Sequence, residues 1–287
     1  MIDYDPHRWW SHFFDLEGSL VREIAYRVGV CALTAIGVSI AYHYHADVAI
    51  PGVPHALIGP VIGLLLVFRT NSANERYVEG RRLWGGITNS TRNLRRKSEQ
   101  FFAAEPATVE AIIEWMVAFA WATRARLIEQ KGVGTGCKLP IDQQDKALAA
   151  GHPPTYCASQ LARILLDARQ RGVITDIQHQ MLDADVQALV DHLGGCERIL
   201  STPLPFAYAV HLRRALVLYC GSLPFALVDL FHEWTVVVGV VMAYILIGIE
   251  EIGTEIENPF GQRHNDLPLD RICTNLSLQL RDASNAS

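Results

Sequence analysis

The chain has 287 residues, of which 50 % are hydrophobic and 19 % charged, with a mean hydropathy of +0.15. That composition suits a soluble protein of one or two domains or a modest membrane protein, and a formal charge of −5 argues against a nucleic-acid binder, which would carry a basic excess. The six cysteines are scattered with no C-x-x-C pair, so zinc, redox and disulfide-framework readings lack their spacing and the thiols read as isolated core residues.

The first residues, "MIDYDPHRWW", are acidic and aromatic where a secretory signal would be basic. Four segments are apolar enough to cross a bilayer: Ile24–Ala46, Val53–Phe68, Phe206–Leu230 and Trp234–Ile249. Each is marginal against the ~20 residues a spanning helix wants. Val28–Tyr42 starts only after Arg27, and Val53–Phe68 carries His55 and two glycines, so hydropathy alone leaves a buried-core reading open. The basic residues decide it. Neither Asp47–Gly52 nor His232–Glu233, the two short connections, contains a Lys or Arg. Arg69–Pro205 holds 17 of the 25, and the remaining eight flank the outer ends. Two hairpins with their basic residues on one side follow the positive-inside rule. The expectation is an all-α membrane protein with four spans, at about 24–46, 53–69, 206–230 and 234–255, and with both termini cytoplasmic. Cytoplasmic helices fill about 70–205 and 256–281, and the tail 282–287 is expected to be disordered.

The second span is crowded at its entrance by Pro51, Gly52, Pro54, Gly59, Pro60 and Gly63, and interrupted spans of this kind tend to line cavities. It runs on as "FRTNSANERYVEGRRLWGG" with no helix breaker before Gly85. Steps of three and four from Pro60 select Leu64, Phe68, Ser72, Glu75, Glu79 and Arg82, a stripe that is apolar for two turns and then polar for three. Rings of Leu64 and Phe68 around a symmetry axis would form an apolar constriction that gates by dewetting. Packing of the same stripe against other helices accounts for the periodicity equally well. Four helices are too few to enclose a pore, so a channel requires a closed ring of subunits.

In the middle region "VEAIIEWMVAFAWATRARLIEQ" is apolar on nearly every face and reads as a buried helix. "QKGVGTGCKLP" and "AAGHPPTY" read as loops, "YCASQLARILLDARQRG" as a helix, and "TDIQHQMLDADVQALVDHLGGCERIL" as a helix capped by Thr175 or Asp176 that ends near Gly194–Gly195. "GVGTGCK" lacks the Gly-Lys-Ser/Thr ending of a phosphate loop. His43 and His45 sit two apart and point in different directions on a helix, so interfacial anchoring is preferred to a metal site. Glu250, Glu251, Glu255 and Glu257 lack the Glu-x-x-His partner of a bundle metal site, and pairing with arginines is the preferred account.

Two long motifs carry a family resemblance. "FRTNSANERYVEGRRLWGGITNSTRNLRR" resembles the bacterial bestrophin pattern Phe-Arg-Thr-Asn-x-Ala, Glu-x-Arg, Leu-Trp-Gly and Arg-Asn-Leu. "EEIGTEIENPFGQRHNDLPLD" is similar to the family's second signature, and "FFDLEGSL" and "TPLPFAYAVHLRR" also fit. The resemblance covers nearly the whole chain as one channel domain. It implies a homopentameric ion channel in the bacterial inner membrane, its neck at Pro60, Leu64 and Phe68 and a lower cytoplasmic aperture at Ile177. Its partners would be further copies of itself, the lipid bilayer and permeant monovalent ions, with no nucleic acid. Animal members are chloride channels, and bacterial relatives can favour monovalent cations.

This chain departs from the pattern in three places. Pro60 replaces an aliphatic residue, and Asn74, Tyr77 and Val78 replace common aromatics. After Asn-Pro-Phe-Gly, where animal members carry calcium-binding acids, stand Gln262, Arg263, His264, Asn265 and Asp266, too few carboxylates for calcium. No cofactor is therefore expected. A non-conducting membrane scaffold binding a partner through the middle helices is the alternative reading, and a membrane enzyme would need a titratable cluster that the spacing does not supply.

Overall fold

The structure, a computed structural model, describes residues 20–130, 132 and 136–282, and every regular element among them is helical. In chain order these are α1 (Val21–His43), α2 (Val53–Phe101), α3 (Pro106–Leu127), α4 (Ile141–Ala149), α5 (Pro153–Gln170), α6 (Asp176–Ser201), α7 (Phe206–Phe231), α8 (Thr235–Ile256) and α9 (Leu269–Asp282). Nearly all of "FFDLEGSL", much of "GVGTGCK" and the tail beyond Asp282 lie outside the described residues. Among the described residues, the stretches long and apolar enough to cross a membrane are Val21–His43, Val53–Phe101 and Phe206–Ile256. The last contains two helices, α7 and α8, separated by a 3-10 turn at His232–Trp234 whose His232 has φ 48°.

The first span ends earlier than its hydropathy suggests. His45 takes a left-handed φ of 60°, its N–H reaches the Tyr42 carbonyl at 3.0 Å, and Ala46 N–H reaches the Ala41 carbonyl at 3.0 Å. This is a Schellman ending built on a histidine instead of the usual glycine, so no sequence signal marked it.

The chain forms two compact units. One comprises the chain up to Tyr77 together with Pro203–Asn258, the other Val78–Thr202 together with the chain from Pro259. In the first, Ile24, Cys220, Ala243 and Ile247 form a core shared by α1, α7 and α8. Ile62 and Leu66 of α2 meet Leu212 and Leu216 of α7. The Tyr208 hydroxyl donates to the Leu65 carbonyl at 2.8 Å, pinning the start of α7 to α2.

In the second unit α3 is the centre. It is buried without interruption from Ile112 to Ala120, as its all-round apolar sequence predicts. α5, α6 and α9 pack on it. Burial pushes the thiols of Cys157, Cys196 and Cys273 up to about 12, so these cysteines are packing residues and not nucleophiles. α6 begins with a complete capping box between Thr175 and Gln178.

Both glycine pairs that look like helix stops lie inside helices. A Cβ on Gly86 would stand 2.4 Å from the His192 ring, and one on Gly195 would stand 2.6 Å from Leu83. The glycines let α2 and α6 approach closely where a side chain would hold them apart. Gly80 does the same for the segment after α8, since a Cβ there would meet Pro259 Cγ at 2.8 Å and the fully buried Phe260 ring at 3.1 Å. Overpacking of a rigid proline ring costs about 1–3 kcal/mol, against at most ~1 kcal/mol of helix propensity gained from Gly to Ala. Gly80→Ala is therefore expected to lower the melting temperature of the purified protein, and a melting point at or above the parent's would overturn this packing account.

Candidate ion pathway

α2 is a single helix of 49 residues, about 73 Å long at 1.5 Å per residue. Its residues divide by face. Ile62, Leu66, Arg69, Ala73, Gly80, Trp84 and Ile87 are buried. On the opposite face Val61, Leu64, Phe68, Asn71, Glu75, Val78 and Arg82 are exposed, with steps alternating between three and four residues. A line of period 3.5 drifts slowly around a helix of 3.6 residues per turn, so it stays on one side over many turns.

The sequence-predicted residues fall on this face with one refinement. Pro60 is exposed, and Leu64 and Phe68 are each 55 % exposed, so all three side chains are left uncovered within the subunit. Glu75 is exposed and makes no ion pair among the described residues, and Arg82 is exposed. Ser72 and Glu79 lie partly covered at the edge of the face, whose centre passes through Asn71 and Val78. Glu79 stands 3.8 Å from Arg82, a loose i,i+3 pair. Arg76 turns away from both acids and donates to the Glu257 carbonyl at 3.0 Å. Ile177 is 72 % exposed in the first turn of α6, held there by the Thr175 cap. A separate groove of about 430 Å³ between α3 and α5, lined by Ala107, Ala111, Arg163 and Ile164 among others, contains none of these residues.

Behind the exposed face lies a buried charge cluster in the first unit. Glu250 of α8, 1 % exposed, collects one arginine from each of the other helices there. Arg27 of α1 lies at 3.3 Å, Arg69 of α2 at 3.6 Å and Arg213 of α7 at 2.9 Å. Arg27 also pairs with Glu251. Arg69 reaches Glu257 at 3.6 Å and donates to the Thr254 hydroxyl at 2.8 Å. Three of the four acids of "IEEIGTEIE", Glu250, Glu251 and Glu257, thus meet arginines, as the plainer sequence reading expects, whereas Glu255 makes no ion pair among the described residues. Arg69, which in the sequence marks the end of the span, turns inward, about 100° around the helix from the exposed Phe68. Sequence reasoning could not find the hub, because its three arginines are far apart along the chain.

Another buried pair was missed in the second unit. Glu114, the one acid amid the apolar run of α3, accepts two hydrogen bonds from Arg281 at 2.9 Å and one from the Lys138 N–H at 2.7 Å. An acid amid the apolar run from Ile112 to Ala120 was the available signal. In the loop after α8, Asp266 is buried and accepts the Arg263 N–H at 2.7 Å. Burial pushes its carboxyl above the usual range, the Arg263 N–H opposing only in part.

The pattern of residues and helices has counterparts. The model of the bacterial and fungal bestrophin proteins matches residues 1–282. The chain belongs to the bestrophin family. It is 37 % identical to a voltage-dependent anion channel-forming protein of Nostoc sp., over 97 % of this chain and 92 % of that protein. A protein of the same description from Synechocystis sp. is 39 % identical over 96 % of this chain and 92 % of its own length. The crystal structure of a bacterial bestrophin homolog from Klebsiella pneumoniae superposes with a TM-score of 0.87 at 31 % identity, covering 91 % of this chain and 98 % of that one.

The hub makes a sharp stability prediction for this bestrophin. Removing the shared carboxylate leaves the buried Arg69 beside two further cations, and breaking a buried pair in this way costs about 3–5 kcal/mol. Glu250→Ala is expected to lower the melting temperature of the detergent-solubilised protein far more than Glu255→Ala on the same helix, and equal effects would show that the hub contributes nothing special.

Proposed function

We propose that this bestrophin is an ion channel that conducts small monovalent ions passively, as a homopentamer in the bacterial inner membrane. Five copies of α2 place their exposed faces around a common axis. Pro60, Leu64 and Phe68 form its apolar neck, and the chain termini and the second unit stand on the cytoplasmic side. The observation that carries this reading is the uncovered apolar line through Val61, Leu64 and Phe68, opposite a fully packed face of the same helix. Apolar side chains left bare at the family's pore position need a neighbouring copy, lipid or a dewetting lumen beside them. Ile177, bare at the tip of α6, serves as the lower aperture.

An apolar neck carries no fixed charge, so the sign of the permeant ion is set below it. Glu79 is partly offset by Arg82, whereas Glu75 is exposed without an ion pair among the described residues, which favours cations. The anion reading is favoured by the relatives, which carry the name anion channel-forming. No calcium clasp is proposed, because Asp266 is committed to the Arg263 N–H and its neighbours Gln262, Arg263, His264 and Asn265 supply no carboxylate.

In planar bilayers the purified protein is expected to give single-channel steps, and Leu64→Ala and Phe68→Ala each to raise unitary conductance or change ion preference. Steps untouched by both variants would remove the neck from α2, and oligomers without any current would leave the scaffold reading. Under asymmetric potassium chloride the reversal potential is expected on the cation side and to move toward zero in Glu75→Gln. A reversal potential on the anion side would reverse the assignment. Calcium chelation is expected to leave conduction intact; loss of current, restored by calcium and absent in Asp266→Ala, would establish a clasp.

A further inference from the structure

The three arginines around Glu250 are not equivalent. Arg27 and Arg213 are partly exposed, with side chains 38 % and 50 % accessible, and both make close contacts to carboxylates. Arg69 is 1 % exposed, and its two ion pairs are both long, at 3.6 Å. Among the described residues its single close hydrogen bond is the one to Thr254, and its buried Nε and Nη1 have no partner there. Nε faces the space left by Gly253, where a Cβ would stand 3.5 Å away.

The carboxylates do not depend on it. Without Arg69, Glu250 keeps Arg27, Arg213 and the Thr254 hydroxyl, the last at 3.1 Å. Glu257 keeps the Leu204 N–H at 3.0 Å. A guanidinium stripped of water and only partly satisfied costs folding free energy, and its removal with an apolar replacement is often neutral or stabilising. A buried ionisable group held at that cost inside a membrane protein marks function.

We propose that Arg69 is a gating latch for the neck, a positioning residue that touches no permeating ion. It follows Phe68 directly in the chain, about 100° around α2 and on its buried face, and through Thr254, Glu250 and Glu257 it holds the neck segment of α2 to the end of α8. Its loose ion pairs and unused donors let α2 exchange partners along α8 as the neck changes state, which a saturated ion pair would prevent. A two-state element of this kind shifts an equilibrium when its contacts differ between the states. The proposal rests on the reading that the exposed face of α2 lines the pore.

The test separates gating from stability. In planar bilayers Arg69→Met is expected to change open probability by about fivefold or more, the low end of ordinary coupling between two states. Unitary conductance and reversal potential should remain the parent's, and the melting temperature of the solubilised protein should stay level or rise. Arg69→Lys, which keeps the charge near both carboxylates, should restore open probability toward the parent's. A lowered melting temperature or failed assembly in Arg69→Met would make Arg69 an ordinary structural ion pair and overturn the latch, as would unchanged open probability in both variants. If the Arg69 variants behave as expected but Leu64→Ala and Phe68→Ala leave conduction untouched, the neck assignment falls while the coupling stands. If the neck variants respond and the Arg69 variants do not, the latch alone falls.

Discussion

The transmembrane unit turns on Glu250. One buried carboxylate on α8 receives a guanidinium from α1, from α2 and from α7, so a single side chain touches every other helix of its unit. Apolar packing alone fixes such helices weakly in rotation and axial shift, because lipid tails solvate Leu and Val as well as a neighbouring helix does. A charge that must find a partner in a medium of low dielectric restricts rotation, even where, as at Arg69, the ion pairs are loose enough to exchange along the partner helix. With Arg69 turned to α8, the residues on the other face of α2 are turned away from it.

That consequence extends along α2 because the helix never breaks. Past the turn at Pro60 its backbone satisfies its own hydrogen bonds down to Phe101, so it needs no solvent to accept its carbonyls where the side chains change from Leu and Val to Arg, Asn and Glu. Within the first unit its buried face meets α7, and within the second it meets α6 through Gly86 and Gly195. The same unbroken rod carries Leu64, Phe68, Glu75 and Arg82 on one side.

Much of this was legible in the residues. The absence of Lys and Arg from both short connections pointed to a membrane protein, and the Phe-Arg-Thr-Asn and Asn-Pro-Phe-Gly motifs led to the family. The capping box at Thr175 and the buried α3 followed from local pattern. What failed had a common cause. Gly85–Gly86 and Gly194–Gly195 look like stops, but a glycine that ends a helix and one that admits a neighbouring side chain have the same letter, and only the neighbour distinguishes them. The reverse error occurred at His45, where a helix ends on a left-handed histidine that carries no stop signal. The walk from Pro60 put Ser72 and Glu79 on one stripe with Leu64 and Phe68, and they lie partly covered at the edge of an exposed face that follows a 3.5-residue period through Asn71 and Val78.

Pro60 bears on which surroundings the exposed face of α2 can have. A proline inside a helix has no N–H, so the carbonyl of Ala56 loses its regular partner one turn earlier. Both Ala56 and Pro60 are exposed, which puts that carbonyl on the open side of α2 and not against α7. Facing hydrocarbon, an unpaired carbonyl costs several kcal/mol, and non-helical or broken backbone survives at membrane depth only where it meets protein or water. Lipid is therefore the least suitable neighbour for this turn. A wet outer mouth satisfies the carbonyl directly, while the next turns, carrying Leu64 and Phe68, offer water nothing to bond. The same face thus passes from a turn that needs water to turns that repel it, which is the order an apolar neck below an aqueous entrance requires.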